Sequence, residues 1–494
     1  MNSYLELEGV FKKLGLLGRV SGLLSWDTET MMPLGASNIR GEEMAVMSTT
    51  LHEIITAPET KKLINLAEKE ESSLNEWQKS NLRIIRNEWR HNNCLSEELV
   101  KKYSIATLKC QTAWKDAVKN NDIRKFEPYQ QEVVDISRAI AEEKAKSFDL
   151  SPYDAMLNQY DEGRRSEQID DIFNKLKAFL PDLIKKIQKK QETRIIKYPK
   201  GPFLIEKQEM LGRKFMEAIG FDFNHGRLDV SAHPFTGGAK GDVRITTRYN
   251  DKEFFSSLME ALHETGHGMY EQQLPEEWKY QLVGQAQGMT IHESQSLLIE
   301  NQVAHSREFL KFALPIIKGV FGGSGNEWDI ENIYNINNHV RSSLIRVNAD
   351  EATYPIHIII RYEIEKDLIG RKIQVKDIPD IWQSMTKDML GIDVPDCKSG
   401  YIQDLHWPDG DFGYFPTYTL GAIAAAQFFY KAKSDKPEIL PEIAKGNFSP
   451  LSTWLKDNIH SHGSKYTADE LIKKTTGNHL DVDIFRMHLE GRYL

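Results

Sequence analysis

Across residues 3–194 the apolar positions recur at intervals of three and four, the spacing that gives a helix one apolar face. Residues 95–119 are typical, with Leu95, Leu99, Tyr103, Ala106 and Cys110 on one side of the predicted helix. Prolines are sparse here, and Pro33, Pro58, Pro128, Pro152 and Pro181 are expected at breaks between helices. Nothing repeats at a fixed period, and no low-complexity linker divides the chain.

The pattern changes at residues 221–249. Glycine turns at 225–226 and 237–238 separate two runs of strand character, 227–232 and 243–249. Helical spacing returns after Asn250 and continues to a stretch rich in glycine and aromatics, 400–421, expected as an ordered loop leading into a helix. The pattern predicts a mainly α protein with a small β-sheet. Residues 1–494 are expected to form one unit, with a helical part over 1–200 and the rest of the chain, 201–494, carrying the change of pattern.

Composition narrows the class. Of 494 residues 40% are hydrophobic, enough for a large core, and the formal charge of −9 argues against a protein built to neutralise nucleic-acid phosphates. Cys94, Cys110 and Cys397 are too few and too scattered for a disulfide framework. The first residues place Glu6 and Glu8 before any basic residue, unlike a signal peptide. The most apolar stretch, 420–430, is too short to span a bilayer. A cytoplasmic protein without a membrane partner is expected.

The chemistry concentrates at residues 263–267, His-Glu-Thr-Gly-His. Phe254, Leu258 and Leu262 form an apolar stripe before it, and Asn250 with Glu253 has capping-box spacing for the helix start. Residues four apart on a helix rise about 6 Å and face one side. His263 and His267 can therefore reach one tetrahedral zinc ion, with Glu264 beside its open position as general base. The third ligand is open on spacing. Glu293 is a candidate, although Thr290 and Glu293 also have capping-box spacing. His292 is the rival, and adjacent helical residues diverge by about 100°, so only one of the two faces the metal.

Further patterns accompany this one: His-Pro-Phe at 233–235, Asp242-Val243-Arg244-Ile245-Thr246, His-Glu-Ser-Gln at 292–295, Ile345-Arg346-Val347-Asn348-Ala349-Asp350, and Gly400-Tyr401-Ile402-Gln403-Asp404-Leu405-His406-Trp407. In this order, and over essentially the full length, the chain resembles the carboxypeptidase Taq family of zinc metallocarboxypeptidases. The resemblance implies Glu293 as third ligand and a helical fold with a deep groove, similar to angiotensin-converting enzyme and thimet oligopeptidase. It also implies a homodimer that removes single C-terminal residues with broad specificity, poorly when that residue is proline. Cobalt is expected to substitute for zinc.

Beyond the metal, His406 and Tyr418 are the candidates for stabilising the tetrahedral oxyanion, with Tyr414 as the competing phenol and a candidate substrate contact. A free C-terminal carboxylate suits a guanidinium fork, and Arg346 is the first choice, with Arg244 and Arg361 as alternatives. His233 is a candidate substrate contact. Asp242 and Asp350 are read either as acceptors for ligand imidazoles or as partners of their neighbours Arg244 and Arg346.

Overall fold

The computed structural model describes residues 2–494. It is mainly α-helical, with one three-stranded sheet. The N-terminal periodicity gives long helices, among them Asn2–Thr30, Ser37–Thr56, Glu97–Asn120, Glu127–Phe148 and Ser166–Gln191. Ser96 caps the helix expected over 95–119 by accepting from the Leu99 N–H. Pro33 lies between helices, while Pro58, Pro128 and Pro152 lie in first turns, where a missing N–H breaks no intrahelical bond. Pro181 departs from expectation: it lies inside Ser166–Gln191. The stripe Ile169, Phe173, Leu176, Leu180, Leu183, Ile184 and Ile187 is buried along that helix, and this burial outweighs the roughly 3 kcal/mol that an interior proline costs.

The chain divides into two compact units, each built from three separate segments. The first comprises Met1–Asn92, Ile195–Asn338 and Gly421–Asp481; the second comprises Asn93–Arg194, His339–Leu420 and Val482–Leu494. One crossing, at Arg194–Ile195, falls at the end of the helical periodicity read over residues 3–194.

The core of the first unit gathers Phe215, Leu258, Leu262, Ile291, Val303, Phe309, Phe428, Trp454 and Leu471, so it draws on distant parts of the sequence. Its sheet consists of β1 (Gly226–Val230), β2 (Thr236–Ala239) and β3 (Asp242–Thr247), in the order β1-β3-β2. β3 pairs parallel to β1 and antiparallel to β2. Val243 and Ile245 alternate inward onto Met216, Phe221 and Leu228. Gly237 and Gly238, expected as a turn, belong to β2, and the chain reverses at 240–241 instead. Gly238 has φ +88°, and a Cβ there would lie 2.0 Å from the Asp242 carbonyl oxygen, so only glycine fits this close pairing.

In the second unit the helix Tyr354–Ile369 is buried along most of its length, and Tyr362 packs edge-on against Phe173. The C-terminal helix Val482–Tyr493 is fixed through Glu351, which accepts from His488 Nε2 at 2.8 Å, Arg492 Nη1 at 3.0 Å and the Tyr493 hydroxyl at 3.2 Å. Cys94, Cys110 and Cys397 are free thiols. Among the described residues no helix is long and apolar enough to cross a membrane.

Candidate active site

The His-Glu-Thr-Gly-His sequence lies on the helix Phe255–Gln273 in the first unit. The helix begins later than the Asn250 spacing suggested. Asn250 and Glu253 instead form an isolated bridge, and the Glu253 carboxylate accepts from the backbone N–H of Phe255 at 2.5 Å and Ser256 at 3.0 Å. An anion on the first turn complements the helix dipole. Phe254 anchors this end against Phe203 and Trp328. Two glycines then let neighbours in. A Cβ on Gly266 would lie 2.3 Å from the Gln295 carbonyl oxygen, and one on Gly268 would lie 2.8 Å from Ile245 and Phe221. Gly266 thus admits the helix Met289–Leu297, and Gly268 admits the sheet.

Glu293 does not close the start of Met289–Leu297, whose N-cap is Gly288. Its carboxylate turns to the imidazoles instead: Oε2 lies 3.4 Å from His267 Nε2 and 3.8 Å from His263 Nε2. One ligand atom from each of His263, His267 and Glu293 lies within 4.8 Å of the others. Two imidazole nitrogens and one carboxylate oxygen, converging in this way, form a donor set of the kind that holds a zinc ion. The residues present therefore fit a metal. Gly421 permits the approach, since a Cβ there would lie 2.9 Å from Glu293 Cβ.

Electrostatics favour a cation here. Burial pushes the His263 imidazole down, but Glu293, Glu300 and Glu264 around it outweigh burial and raise it to about 10. Burial pushes Glu293 up, and His263 and His267 overcome this and hold it at about 2, so it is an anion at any working pH. Burial and the neighbouring His292 lower His267.

Glu264 is buried, and its Oε2 accepts from the Thr236 hydroxyl on β2 at 2.6 Å. The sheet therefore holds the carboxylate near His263 and His267. Sequence reasoning missed Thr236, although it directly follows the His-Pro-Phe pattern. It also missed the outer partners of the imidazoles. His263 Nδ1 meets Glu300 Oε2 at 2.8 Å, from a π-helical turn, Leu298–Ala304, which continues Met289–Leu297. His267 Nδ1 meets His292 Nδ1 at 2.6 Å. His292 is thus no rival ligand in this geometry; it faces the back of a ligand imidazole. Asp242 does not reach a ligand histidine. It pairs with Arg244 at 2.9 and 3.0 Å, and that guanidinium lies over the Trp26 ring. His233 is exposed, and its carbonyl accepts from Ser231.

The remaining candidates lie in the second unit. His406 Nε2 and the Tyr418 hydroxyl are 3.1 Å apart, and the imidazole stacks on Phe415 with centroids 4.4 Å apart. Tyr414 packs edge-on against Tyr418 and Tyr160. Burial lowers His406 to about 4; Asp404 opposes this and Arg346 adds to it. The imidazole is therefore neutral near pH 7 and keeps one N–H to donate. Arg346 is buried, giving Nε and Nη2 to Asp404 Oδ1 at 3.0 and 2.7 Å and Nη1 to the Tyr354 hydroxyl at 2.6 Å. Arg361 gives Nε to the other oxygen of Asp404 at 2.7 Å. Two guanidinium groups thus share one buried carboxylate. Asp350 accepts from the backbone of Arg341, Ala352 and Thr353, so it shapes a turn and leaves Arg346 to Asp404. Glu365, wholly buried, accepts from Trp407 Nε1 at 2.8 Å, Gly413 N at 3.0 Å and the Tyr153 hydroxyl at 2.9 Å, which ties down both flanks of the segment carrying His406.

The chain is 33% identical to "Carboxypeptidase 1" of Bacillus subtilis over 489 residues, covering 99% of this chain and 97% of that protein. It is 33% identical to "Thermostable carboxypeptidase 1" of Pyrococcus furiosus over 490 residues, covering 98% of this chain and 97% of that protein. The solved structure of Trypanosoma cruzi metallocarboxypeptidase 1 superposes with a TM-score of 0.98 at 39% identity, covering 100% of this chain and 99% of that one. The family described as carboxypeptidase Taq (M32) metallopeptidase matches residues 6–493. With His263, His267 and Glu293 converging as a metal-binding set, the chain belongs to the carboxypeptidase Taq (M32) metallopeptidase family.

Proposed function

We propose that the protein is a zinc-dependent carboxypeptidase that releases single residues from the C-termini of peptides. The observation that carries this reading is the convergence of His263, His267 and Glu293 beside a Glu264 held by Thr236. When bound, zinc supplies Lewis acidity toward water and toward the scissile carbonyl. Glu264 takes the proton of the attacking water and delivers it to the leaving amine. Thr236 keeps that carboxylate in one rotamer through both transfers. His406 and Tyr418 donate to the oxyanion, and the neutral imidazole suits this role because it retains an N–H near pH 7.

Arg346 receives the substrate carboxylate. Two arginines on one aspartate leave a net positive charge in a buried place, and a second carboxylate completes the pairing. Arg244, paired singly with Asp242 and lying over Trp26, is the alternative anchor. Tyr414 and His233 are proposed as further substrate contacts. The resemblance to the family supports the rest of the reading: a cytoplasmic homodimer with broad specificity, poor action on C-terminal proline, and cobalt as a substitute metal.

The test is direct. Activity should vanish on removal of metal by a chelator and return with Zn²⁺ or Co²⁺. Mass analysis of a digested peptide should show a ladder losing one C-terminal residue at a time. The same peptide amidated at its C-terminus should be cleaved tens- to thousands-fold less well, since losing one partner of a buried charge pair costs on the order of 2–5 kcal/mol. Internal fragments or dipeptides would replace this reading with an oligopeptidase. Full activity in demonstrably metal-free protein would end the zinc reading.

A further inference from the structure

Each ligand imidazole presents Nε2 toward Glu293 and Nδ1 away from it. A nitrogen that gives its lone pair to a metal leaves the ring proton on the other nitrogen, and that proton needs an acceptor. His263 finds a carboxylate, Glu300, at 2.8 Å. His267 finds a second imidazole: its Nδ1 is 2.6 Å from His292 Nδ1, and His292 Nε2 is 2.9 Å from Glu271 Oε1. Proton accounting allows one assignment along this chain. His267 Nδ1–H donates to the lone pair of His292 Nδ1, and His292 Nε2–H donates to the Glu271 carboxylate. The ring of His292 is held on its flanks by His267 and Tyr270, with centroids 4.6 and 5.6 Å away.

The placement follows from the sequence. His263, His267 and Glu271 are successive i+4 positions on one helix, so His267 and Glu271 form a two-point clamp along one face. His292 enters that clamp from Met289–Leu297, the helix that also carries Glu293. The close approach that Gly266 permits brings that helix near enough.

We propose that His292 and Glu271 are positioning residues for the metal: the relay His267–His292–Glu271 fixes the tautomer and orientation of His267 and thereby sets the affinity of the site. Glu271 acts only through His292. This rests on the metal-site reading above.

Zn²⁺ affinity, measured by competition against a chromogenic chelator, tests the relay without reference to turnover. His292→Ala should weaken Zn²⁺ binding by roughly 10- to 100-fold, the usual effect of losing an outer partner of a ligand histidine. Glu271→Ala should weaken binding in the native background and have no further effect in the His292→Ala background. In His292→Asn the amide oxygen stands where Nδ1 stood and accepts from His267. That variant should recover most of the affinity and be indifferent to Glu271→Ala. A residue serving only packing would show neither this rescue nor this dependence, and His292→Asn with Glu271→Ala carries the test if His292→Ala does not fold. Unchanged affinity in His292→Ala, or an equal loss from Glu271→Ala in both backgrounds, would overturn the relay while leaving the metal reading intact. A wild type that takes up no Zn²⁺ would overturn both.

Discussion

In the proposed mechanism Glu264 must lie near the attacking water and stay in one rotamer, and the 2.6 Å bond from Thr236 supplies the second of these. Glu264→Gln keeps the shape and loses the basicity, so the variant should hold zinc yet lose roughly 10²- to 10⁴-fold in kcat. Near-normal turnover in a zinc-loaded variant would remove Glu264 from the mechanism. Thr236→Val removes a hydrogen bond to a charged group, which is worth about 1.5–3 kcal/mol. Its kcat should fall roughly ten- to a hundredfold, and a kcat equal to wild type would show that β2 does not steer the base. A second buried group sets a pH limit. His357 is 2% exposed, and burial together with Arg361 and Arg346 lowers it to about 3. A histidine depressed on folding binds its proton more readily when unfolded, so its stabilising effect is present above the ordinary value near 6.5 and fades as pH falls toward 3. The loss is on the order of 5 kcal/mol. Urea midpoints should therefore fall more steeply on acidification for the wild type than for His357→Met, and parallel pH profiles would refute the assignment. The ligand pair His263 and His267 was legible because one helical turn determines their spacing. Thr236, Glu271 and Glu300 were not, because each is chosen by a neighbour on another element or a later turn, and no local spacing marks it.

Helices are legible where an apolar stripe dictates them, and the metal helix Phe255–Gln273 shows both that strength and its limit. Its burial pattern identified it, but its start was read from Asn250, a residue engaged in a bridge with Glu253. β2 was hidden because Thr-Gly-Gly-Ala has little strand propensity; backbone pairing with β3 makes it a strand. Ser166–Gln191 runs through Pro181 because burial along a whole face outweighs one missing hydrogen bond. The π-turn that carries Glu300 leaves no trace in residue type. The crossing of the two ligand helices turns on one missing side chain. Gly266→Ala would force a methyl group to within 2.3 Å of the Gln295 carbonyl oxygen, and overpacking of this kind costs about 1–3 kcal/mol. The variant should melt lower and bind zinc more weakly together, because the displaced helix carries Glu293 and His292. A variant with lower Tm and unchanged zinc affinity would show that the displacement is absorbed elsewhere.

For the whole molecule, the fold class was legible, and so was the histidine pair of the candidate metal set, while Glu293 came from the family resemblance alone; the division into units was not legible, since each unit draws on three segments and neither follows a boundary in composition. That interleaving has a consequence for how the protein comes into being. A chain leaving the ribosome delivers the pieces alternately, and the first unit waits at Asn338 until Gly421–Asp481 arrives with Phe428, Trp454 and Leu471 for its core. At about 5–20 residues per second the wait lasts roughly 7–30 s. The second unit is completed later still, by the helix that brings His488, Arg492 and Tyr493 to Glu351. During that time the strip formed by Leu258, Ile291 and Phe309 has only part of its cover, so nascent chains should occupy chaperones between the delivery of Asn338 and that of Asp481. A chain stopped after Leu420 should bind a hydrophobic dye and aggregate, and a soluble, zinc-binding product from that truncation would show that the last segment is dispensable. The metal-binding helices therefore gain their full cover only after Asp481 has been delivered, so the appearance of a peptidase waits for that distant segment and not for residues 255–297 alone.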